Sequence, residues 1–166
     1  MPVTRAYLGL GANLDSPEHH LLNAFDDIAA TPGITLCARS SLYRSAPMGY
    51  TAQPDFINAV AAIDTALAPA DLLPALRAIE GKHGRVRNIA NGPRTLDIDI
   101  LIYGSLQSDD ENLTLPHPRA HLRAFVLAPL LEIDPGCIIP GRGPASGWLA
   151  RCRDQVIVRI AAAAVG

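Results

Sequence analysis

Two aspartates separated by a single residue stand in the most strand-like run of the chain, Thr95 to Tyr103. Because side chains alternate between the two faces of a β-strand, Asp97 and Asp99 share one face, with their Cα atoms about 7 Å apart. Two like charges on one face repel each other, and a hard divalent cation would offset that repulsion. Magnesium takes one or two carboxylates and fills its other positions with water and phosphate oxygens. The pair therefore predicts a magnesium site, for one ion or for two ions about 4 Å apart.

Three arginines, Arg85, Arg87 and Arg94, lie within ten residues just before the acidic strand. The planar guanidinium group binds phosphate oxygens at two points and stays charged, and the turn predicted at Gly92-Pro93 would direct Arg94. One alternative is a solvated loop whose surface ion pairs contribute little, beside aspartates that arginines merely neutralise. Arginines next to paired carboxylates favour instead a phosphate-binding loop beside a metal site.

The composition predicts one packed domain over residues 1–166. Of the 166 residues, 49% are hydrophobic and 18% are charged, which is ample apolar material for a core. The formal net charge of −2 argues against a broad basic surface, so no nucleic-acid partner is expected. Lys82 is the only lysine, and His83 stands where a Walker A loop needs Ser or Thr, which excludes that phosphate-binding motif.

The sequence also argues against a membrane or secreted location. No run reaches the ~18 consecutive apolar residues of a membrane span, and the N-terminus lacks the basic and apolar regions of a secretory signal. The three cysteines, Cys37, Cys137 and Cys152, are odd in number and include no C-x-x-C pair. Reduced thiols in a cytoplasmic protein fit this pattern best. A monomer is expected, because no apolar stripe is left over once the helices cover the sheet.

Hydrophobic periodicity predicts a ferredoxin-like core. The order is β-α-β-β-α-β, followed by a helix and a C-terminal extension, which gives an α+β fold with helices packed on an antiparallel sheet. This pattern serves many functions, RNA-binding modules among them. The predicted strands are Ala6 to Leu10, Ile34 to Ser45, Phe56 to Thr65, Thr95 to Tyr103 and Val156 to Ile160; the predicted helices begin at Pro17, near Asp71 and at Pro118, the last running to Ala128.

The run GPRTLDIDIL, residues 92–101, closely resembles the signature of the 6-hydroxymethyl-7,8-dihydropterin pyrophosphokinase family. Other segments of the chain resemble further parts of that family in the same order, so that the likeness spans about residues 5 to 135. Several blocks in order are much more specific than any one of them. These blocks are Tyr7 to Leu14, Tyr43 to Gly49, Gln53 to Ala59, Leu115 to Arg119 and Arg123 to Leu130.

The resemblance implies an activity in folate biosynthesis. The family transfers the pyrophosphoryl group of ATP to the hydroxymethyl oxygen of 6-hydroxymethyl-7,8-dihydropterin and releases AMP. By resemblance, Asp97 and Asp99 hold two Mg²⁺ ions that bridge the phosphates of the co-substrate ATP. Arg85 and Arg94 match the catalytic-loop arginines that stabilise charge on the transferring group. An acidic metal site and arginines are the parts that such chemistry requires, because it is mostly positioning and electrostatic stabilisation.

The resemblance also assigns contacts with the two substrates. His117, held between two prolines, matches a histidine that contacts ATP phosphate, and Arg77 stands where some members carry glutamine. For the pterin, the resemblance implies an aromatic stacking pair, Phe56 and Phe125, and the amide of Asn58. An amide in an otherwise apolar strand is notable in itself, because a buried amide needs hydrogen-bond partners. The implied ATP-binding residues are Arg77, Glu80, Arg87, Ile100 and His117; the implied pterin-binding residues are Ser45, Ala46, Met48, Phe56, Asn58 and Phe125.

Some features depart from the family pattern and keep an alternative open. The loop from Arg87 to Gly92 is one residue shorter than in some members, Asn91 stands where a tryptophan often occurs, and the C-terminal third resembles the family poorly. The alternative is another magnesium-dependent nucleotide transferase with the same D-x-D pair. Such an enzyme would not require Phe56, Phe125 and Asn58, the residues that the resemblance assigns to pterin binding.

Overall fold

The structure, a computed structural model, describes residues 2–47, 52–84 and 95–160 as an α+β fold. Strands alternate with helices in the first part, and short elements follow in the C-terminal extension. In chain order these elements are β1 (Thr4–Ala12), α1 (Pro17–Ala29), β2 (Ile34–Arg39), β3 (Leu42–Ser45), β4 (Phe56–Thr65), α2 (Pro69–Lys82), β5 (Asp97–Tyr103), a 3₁₀ turn (Ala120–Leu122), α3 (Ala124–Ile133), β6 (Ile138–Ile139), β7 (Gly143–Pro144), α4 (Ala145–Leu149) and β8 (Ile157–Ile160).

The main sheet confirms the predicted ferredoxin-like arrangement. Its strand order is β5-β1-β4-β3-β8, and β2 also pairs with β4. Every one of these pairings is antiparallel. With β2 and β3 counted as two halves of one interrupted strand, the order along the chain is βαββαβ. The strand β8 extends the sheet beyond β3, and β6 and β7 form a separate two-stranded ribbon.

Both faces of the sheet are covered, which explains the buried central strand β4. On one face, Leu8 and Leu10 pack with Phe25 of α1 and Leu76 of α2 in one apolar core. On the other face, Tyr7 and its neighbours pack with α3 and with the C-terminal extension in a second core. Because strand side chains alternate, residues 9 and 11 of β1 and residues 97 and 99 of β5 face the α3 side.

The segment predicted as one strand from Ile34 to Ser45 is instead broken into β2 and β3. At the break, Ser40 N–H donates to the Val60 carbonyl, and the Ser40 hydroxyl accepts the Val60 N–H. The next residue, Ser41, turns its N–H to the carboxylate of Glu132 in α3. A serine hydroxyl thus takes the place of a strand carbonyl, and the chain leaves the regular ladder.

Two helices differ from prediction at their starts, and each carries a proline as its sixth residue. The helix α2 begins at Pro69, two residues before the predicted start, so that Pro74 lies beyond the first turn. The helix predicted from Pro118 to Ala128 begins at Ala124 and continues past Pro129 to Ile133. A proline inside a helix removes a hydrogen bond at a cost of about 3 kcal/mol. The buried residues that these helices pack against the sheet offset that cost.

The C-terminal extension, residues 134–160, packs on the α3 face and ends in β8, as predicted for the last strand. Cys137 and Ile139 are buried there, together with Ala145 and Cys152. All three cysteines are free thiols. Among the helices of the described residues, none is long and apolar enough to span a bilayer.

Candidate active site

A cleft of about 730 Å³, with the solvent at its open mouth included, lies on the α3 face of the sheet. Strands β1, β4 and β5 form its floor, and the segment that leads into α3 forms its wall. Eight of the residues predicted for the site line this cleft: Ser45, Ala46, Phe56, Asn58, Asp97, Asp99, His117 and Phe125.

The two aspartates project into the cleft from the edge strand β5. Asp97 lies opposite Gly11 of β1, and Asp99 lies opposite Gly9. A Cβ atom at Gly11 would lie 3.1 Å from Asn58 Nδ2, and one at Gly9 would lie 3.1 Å from a methyl carbon of Leu101. The glycines therefore allow the side chains of Asn58 and Leu101 to lie directly over β1, opposite the two carboxylates.

The donor set at this place fits magnesium. Asp99 has 31% of its side chain exposed, and both carboxylates supply the hard oxygen ligands that magnesium prefers. Within residues 2–47, 52–84 and 95–160, no three His, Cys, Asp or Glu side chains cluster as a metal site. Magnesium is suited to such a site, because it needs only one or two carboxylates and retains places for water and phosphate oxygens.

Glu80 holds the backbone between the two aspartates. Its side chain is buried, with the residue 1% exposed, and Oε2 accepts the Ile98 N–H at 2.7 Å. Nη1 of Arg77 donates to the same carboxylate oxygen at 2.7 Å and to the Ile98 carbonyl at 2.9 Å. Because β5 is the edge strand of the sheet, these groups of α2 supply the hydrogen bonds that a further strand would provide. Arg77 and Glu80 do not belong to the lining of the cleft.

His117 reaches the cleft from the segment after β5. Its N–H donates to the Leu101 carbonyl at 2.8 Å, and its ring Nδ1 accepts the Arg119 N–H at 3.1 Å. The proton of the neutral ring is therefore on Nε2, which lies 3.9 Å from Asp99 Oδ2. Burial, and next the charge of Arg123, lower the pKa of His117 to about 4. The imidazole is neutral at pH 7 and presents an N–H donor beside the carboxylates.

A buried polar pair lies at the β4 side of the cleft. The Ser45 hydroxyl donates to Asn58 Oδ1 at 2.7 Å, and both residues are buried. This bond fixes the orientation of the amide, and Nδ2 then lies beside Gly11 in the cleft floor. A fixed primary amide can read the donor and acceptor pattern of a heterocyclic edge.

Two phenylalanines supply apolar surface to the same cleft. Phe56 is the first residue of β4, and Phe125 is the second residue of α3. Both are partly exposed and border the cleft. The guanidinium carbon of Arg123 lies 5.4 Å from the centroid of the Phe125 ring, within the range of a cation–π contact. A flat aromatic ligand is the kind of molecule that such surfaces accept.

Other predicted site residues lie elsewhere. The side chain of Ile100 is buried in the core on the opposite face of β5, and Ile100 does not belong to the lining of the cleft. The remaining predicted residues lie outside the described part of the chain: Met48, Arg85, Arg87 and Arg94.

The structure adds Arg123 and Leu101 to the cleft lining. Leu101 could have been found from alternation, since it shares the strand face of Asp97 and Asp99. Arg123 could have been found from the resemblance, because it begins the family-like block that also contains Phe125.

The fold and the cleft together define an α+β domain with a carboxylate pair facing a cleft of amide and aromatic groups. Residues 7–135 match the family of 7,8-dihydro-6-hydroxymethylpterin-pyrophosphokinase, HPPK. The chain belongs to this family.

Similar sequences cover nearly the whole chain. A 2-amino-4-hydroxy-6-hydroxymethyldihydropteridine pyrophosphokinase from Methylorubrum extorquens is 50% identical over 139 residues, which are 84% of this chain and 88% of that protein. The protein of the same name from Pseudomonas aeruginosa is 44% identical over 158 residues, which are 95% and 98% of the two chains.

Solved structures of fused HPPK-DHPS proteins share the fold. A crystal structure of HPPK-DHPS in complex with substrates aligns with a TM-score of 0.69 at 13% identity, covering 90% of this chain and 43% of that one. Wild-type Plasmodium falciparum HPPK-DHPS with pterin and p-hydroxybenzoate aligns with a TM-score of 0.69 at 14% identity, covering 91% and 42%. The chain thus spans less than half the length of these solved chains, and the likeness concerns the fold.

Proposed function

We propose that this chain transfers the pyrophosphoryl group of ATP to 6-hydroxymethyl-7,8-dihydropterin, in folate biosynthesis. The observation that carries the proposal is membership of the HPPK family over residues 7–135. Relatives that carry the corresponding enzyme name align with most of the chain. The cleft supports the proposal independently, because carboxylates, an amide and aromatic rings meet in it.

The proposed reaction is a displacement at the β-phosphorus of ATP. The hydroxymethyl oxygen of the pterin forms a bond to that phosphorus, and the bond from the β-phosphorus to the oxygen bridging to the α-phosphorus breaks. AMP leaves with this oxygen, the hydroxyl proton passes to water, and the pterin retains two phosphates. Positioning and electrostatic stabilisation supply most of the catalysis in such transfers.

Asp97 and Asp99 would hold the magnesium ions, for which we propose two. Magnesium in this place would neutralise negative charge on the phosphates. Gly9 and Gly11 add no side chain of their own opposite the two carboxylates, which would leave room for the triphosphate beside them. The neutral ring of His117 would donate a hydrogen bond from its Nε2–H to a phosphate oxygen.

The pterin would lie against the apolar surface of the cleft. Phe56 and Phe125 offer their rings to a flat bicyclic substrate. The Asn58 amide, fixed by Ser45, would read the polar edge of the heterocycle. A buried and pre-oriented amide favours a substrate that satisfies it over one that does not.

The proposal also includes residues that lie outside the described part of the chain. Arg85 and Arg94 would stabilise charge on the transferring group, and Arg87 would contact ATP. Backbone groups around Met48, together with those of Ala46 in the cleft lining, would complete the pterin edge. Arg77, Glu80 and Ile100 are proposed near the nucleotide, with Glu80 acting through the backbone of β5.

We further propose that the chain acts in the cytoplasm as a single-domain monomer. The free state of Cys37, Cys137 and Cys152 supports a reducing compartment. Packing of the C-terminal extension into the second core supports one domain.

Product analysis tests the proposed function. The protein is incubated with ATP, magnesium and 6-hydroxymethyl-7,8-dihydropterin, and AMP is separated from ADP. We expect AMP that depends on the pterin and is lost in Asp97→Ala, with Asp109→Ala, an exposed loop aspartate, as the matched control. ADP as the product would contradict pyrophosphoryl transfer, and AMP released without the pterin would favour another nucleotide transferase.

A further inference from the structure

The C-terminal extension holds the backbone of the segment that forms one wall of the cleft. The carboxamide of Gln155 bonds this segment at two points: Oε1 accepts the Ala124 N–H at 2.9 Å, and Nε2 donates to the Leu122 carbonyl at 2.8 Å. These two backbone groups flank Arg123, which lines the cleft. A single side chain therefore fixes the backbone on both sides of a cleft residue.

The contact with Ala124 also caps a helix. Ala124 is the first residue of α3, and the first N–H groups of a helix have no partner within it. The residue before a helix commonly bonds one of these N–H groups, that of the second or third helical residue, with its side chain, but Arg123 makes no such bond. Gln155, 31 residues away along the chain, supplies the acceptor. The start of α3, and with it Phe125, is set by the C-terminal extension.

A second contact from the extension holds the other end of the wall. Nη1 of Arg142 donates to the His117 carbonyl at 2.7 Å. The carbonyl of Arg142 in turn accepts the indole N–H of Trp148 at 3.0 Å. The Trp148 ring meets the His121 ring edge to face, with 4.6 Å between centroids. The position of His117 in the cleft thus depends on a chain of contacts within the extension.

These polar contacts are separate from the apolar packing that folds the extension. Cys137, Ile139, Ala145 and Cys152 are buried in the second core and anchor the extension without Gln155 or Arg142. Both polar residues are partly exposed. Each can therefore be replaced with the core intact.

We propose that Gln155 and Arg142 are positioning residues for the reaction, each for a different substrate. Gln155 orients Arg123 and Phe125 and sets the affinity for the pterin, whereas Arg142 orients His117 and sets the affinity for the nucleotide. This inference rests on the proposed function. It assigns a role to residues that lie beyond the segment 7–135 matched by the family model.

Paired binding measurements test the inference. The affinity for magnesium and a non-hydrolysable ATP analogue is measured first, and the pterin affinity is then measured at saturating analogue. In Gln155→Ala we expect the pterin Kd to rise about tenfold and the analogue Kd to change less than about twofold; in Arg142→Ala we expect the reverse. Gln107→Ala and Arg153→Ala, exposed residues of the same types, are the controls.

Two further readouts separate positioning from a loss of folding. Arg142→Lys keeps a donor for the His117 carbonyl and should restore most of the nucleotide affinity. The exchange rate of the Ala124 amide hydrogen should rise at least about tenfold in Gln155→Ala and stay unchanged in Gln107→Ala. Should Gln155→Ala fail to fold, Gln155→Glu keeps the acceptor and the volume but loses the donor, and it should still weaken pterin binding.

The outcomes are distinguishable. Equal losses for both ligands in both variants, in proportion to a fall in Tm, would overturn the inference, as would unchanged affinities. A wild-type protein that binds no pterin would contradict the proposed function instead. The Ala124 exchange rate would still test the Gln155 contact in that case, because it needs no ligand.

Discussion

The buried carboxylate of Glu80 accepts the backbone N–H of Ile98 at 2.7 Å, and Ile98 stands between the two aspartates of the cleft. A carboxylate on helix α2 thereby fixes the strand from which Asp97 and Asp99 project. Among the described residues no further strand lies beside this edge strand, so this bond and that of Arg77 to the Ile98 carbonyl maintain its outer side. The spacing of the two cleft carboxylates depends on a residue that lies outside the cleft lining.

Replacement of Glu80 should weaken the response to magnesium. Glu80→Ala leaves the Ile98 N–H without its acceptor in a buried place, which costs about 1–3 kcal/mol. We expect the magnesium concentration for half-maximal rate to rise about tenfold or more. Glu80→Gln keeps an oxygen acceptor and should be affected less. The measurement is the initial rate over a magnesium titration.

The exposed loop residue Glu111 supplies the control for this series. Glu111→Ala should match the wild type. Equal defects in Glu80→Gln and Glu80→Ala, with a loss of ATP affinity in the absence of magnesium, would show that Glu80 contacts the nucleotide directly.

A methyl group at Gly11 should impair pterin binding. The added Cβ would lie 3.1 Å from Asn58 Nδ2, closer than most Cβ contacts, so the amide must shift. Because that amide is held by Ser45, its displacement should raise the KM for the pterin about tenfold. Steady-state kinetics at saturating ATP measure the change.

Gly81 is the matched position for this test, because a Cβ there would meet nothing within 4 Å. It lies in helix α2, where alanine is favoured over glycine by about 0.5–1 kcal/mol. Gly81→Ala should retain the wild-type KM and gain stability. A Gly11→Ala protein with unchanged pterin KM would contradict the place given to Asn58.

The alternation of side chains along β5 was sufficient to predict that Asp97 and Asp99 share a face, and the structure confirms it. Local pattern also predicted the bounds of β4. It failed at the break between β2 and β3, because the break depends on Ser40 meeting Val60 across the sheet. These two residues are 20 positions apart, so their contact cannot be predicted from the local alternation of apolar and polar side chains.

The predicted start of α3 was wrong because it, too, depends on a contact between residues far apart in the sequence. Pro118 is a good first helical residue by local rules, but the acceptor that caps α3 is Gln155, which comes 31 residues after Ala124. Arg77 and Glu80 were placed by resemblance near the nucleotide, and their bonds to the β5 backbone could only be seen in three dimensions. Long-range polar contacts, rather than apolar periodicity, account for these differences.

The contact between Glu132 of α3 and Ser41 at the β2–β3 break should make the free energy of unfolding depend on pH. Burial disfavours the charged form of Glu132, but hydrogen bonds from Tyr43 and Ser41 outweigh it, and the pKa of the carboxyl lies below its usual 4.5. The stabilisation is therefore complete above pH 4.5 and is lost as the pH falls through the lowered pKa. Glu132→Gln should lower the free energy of unfolding at pH 7 by about 1–3 kcal/mol.

Denaturant unfolding of wild type and Glu132→Gln at several pH values measures this effect. The difference between the two proteins should be constant from pH 7 to pH 5 and should shrink below pH 4.5. Glu111→Gln, exposed in its loop, should show no such difference. If the difference in free energy of unfolding were unchanged at pH 3, the charge of Glu132 would make no contribution to stability.

The central claim is that two phosphates pass together from ATP to the pterin. Phosphorus NMR of the pterin product, formed with magnesium and ATP, tests it most directly. We expect two coupled phosphorus signals on the pterin, AMP in equal amount, and neither product in the Asp99→Asn protein. A pterin product with a single phosphorus signal and ADP as its partner would contradict pyrophosphoryl transfer.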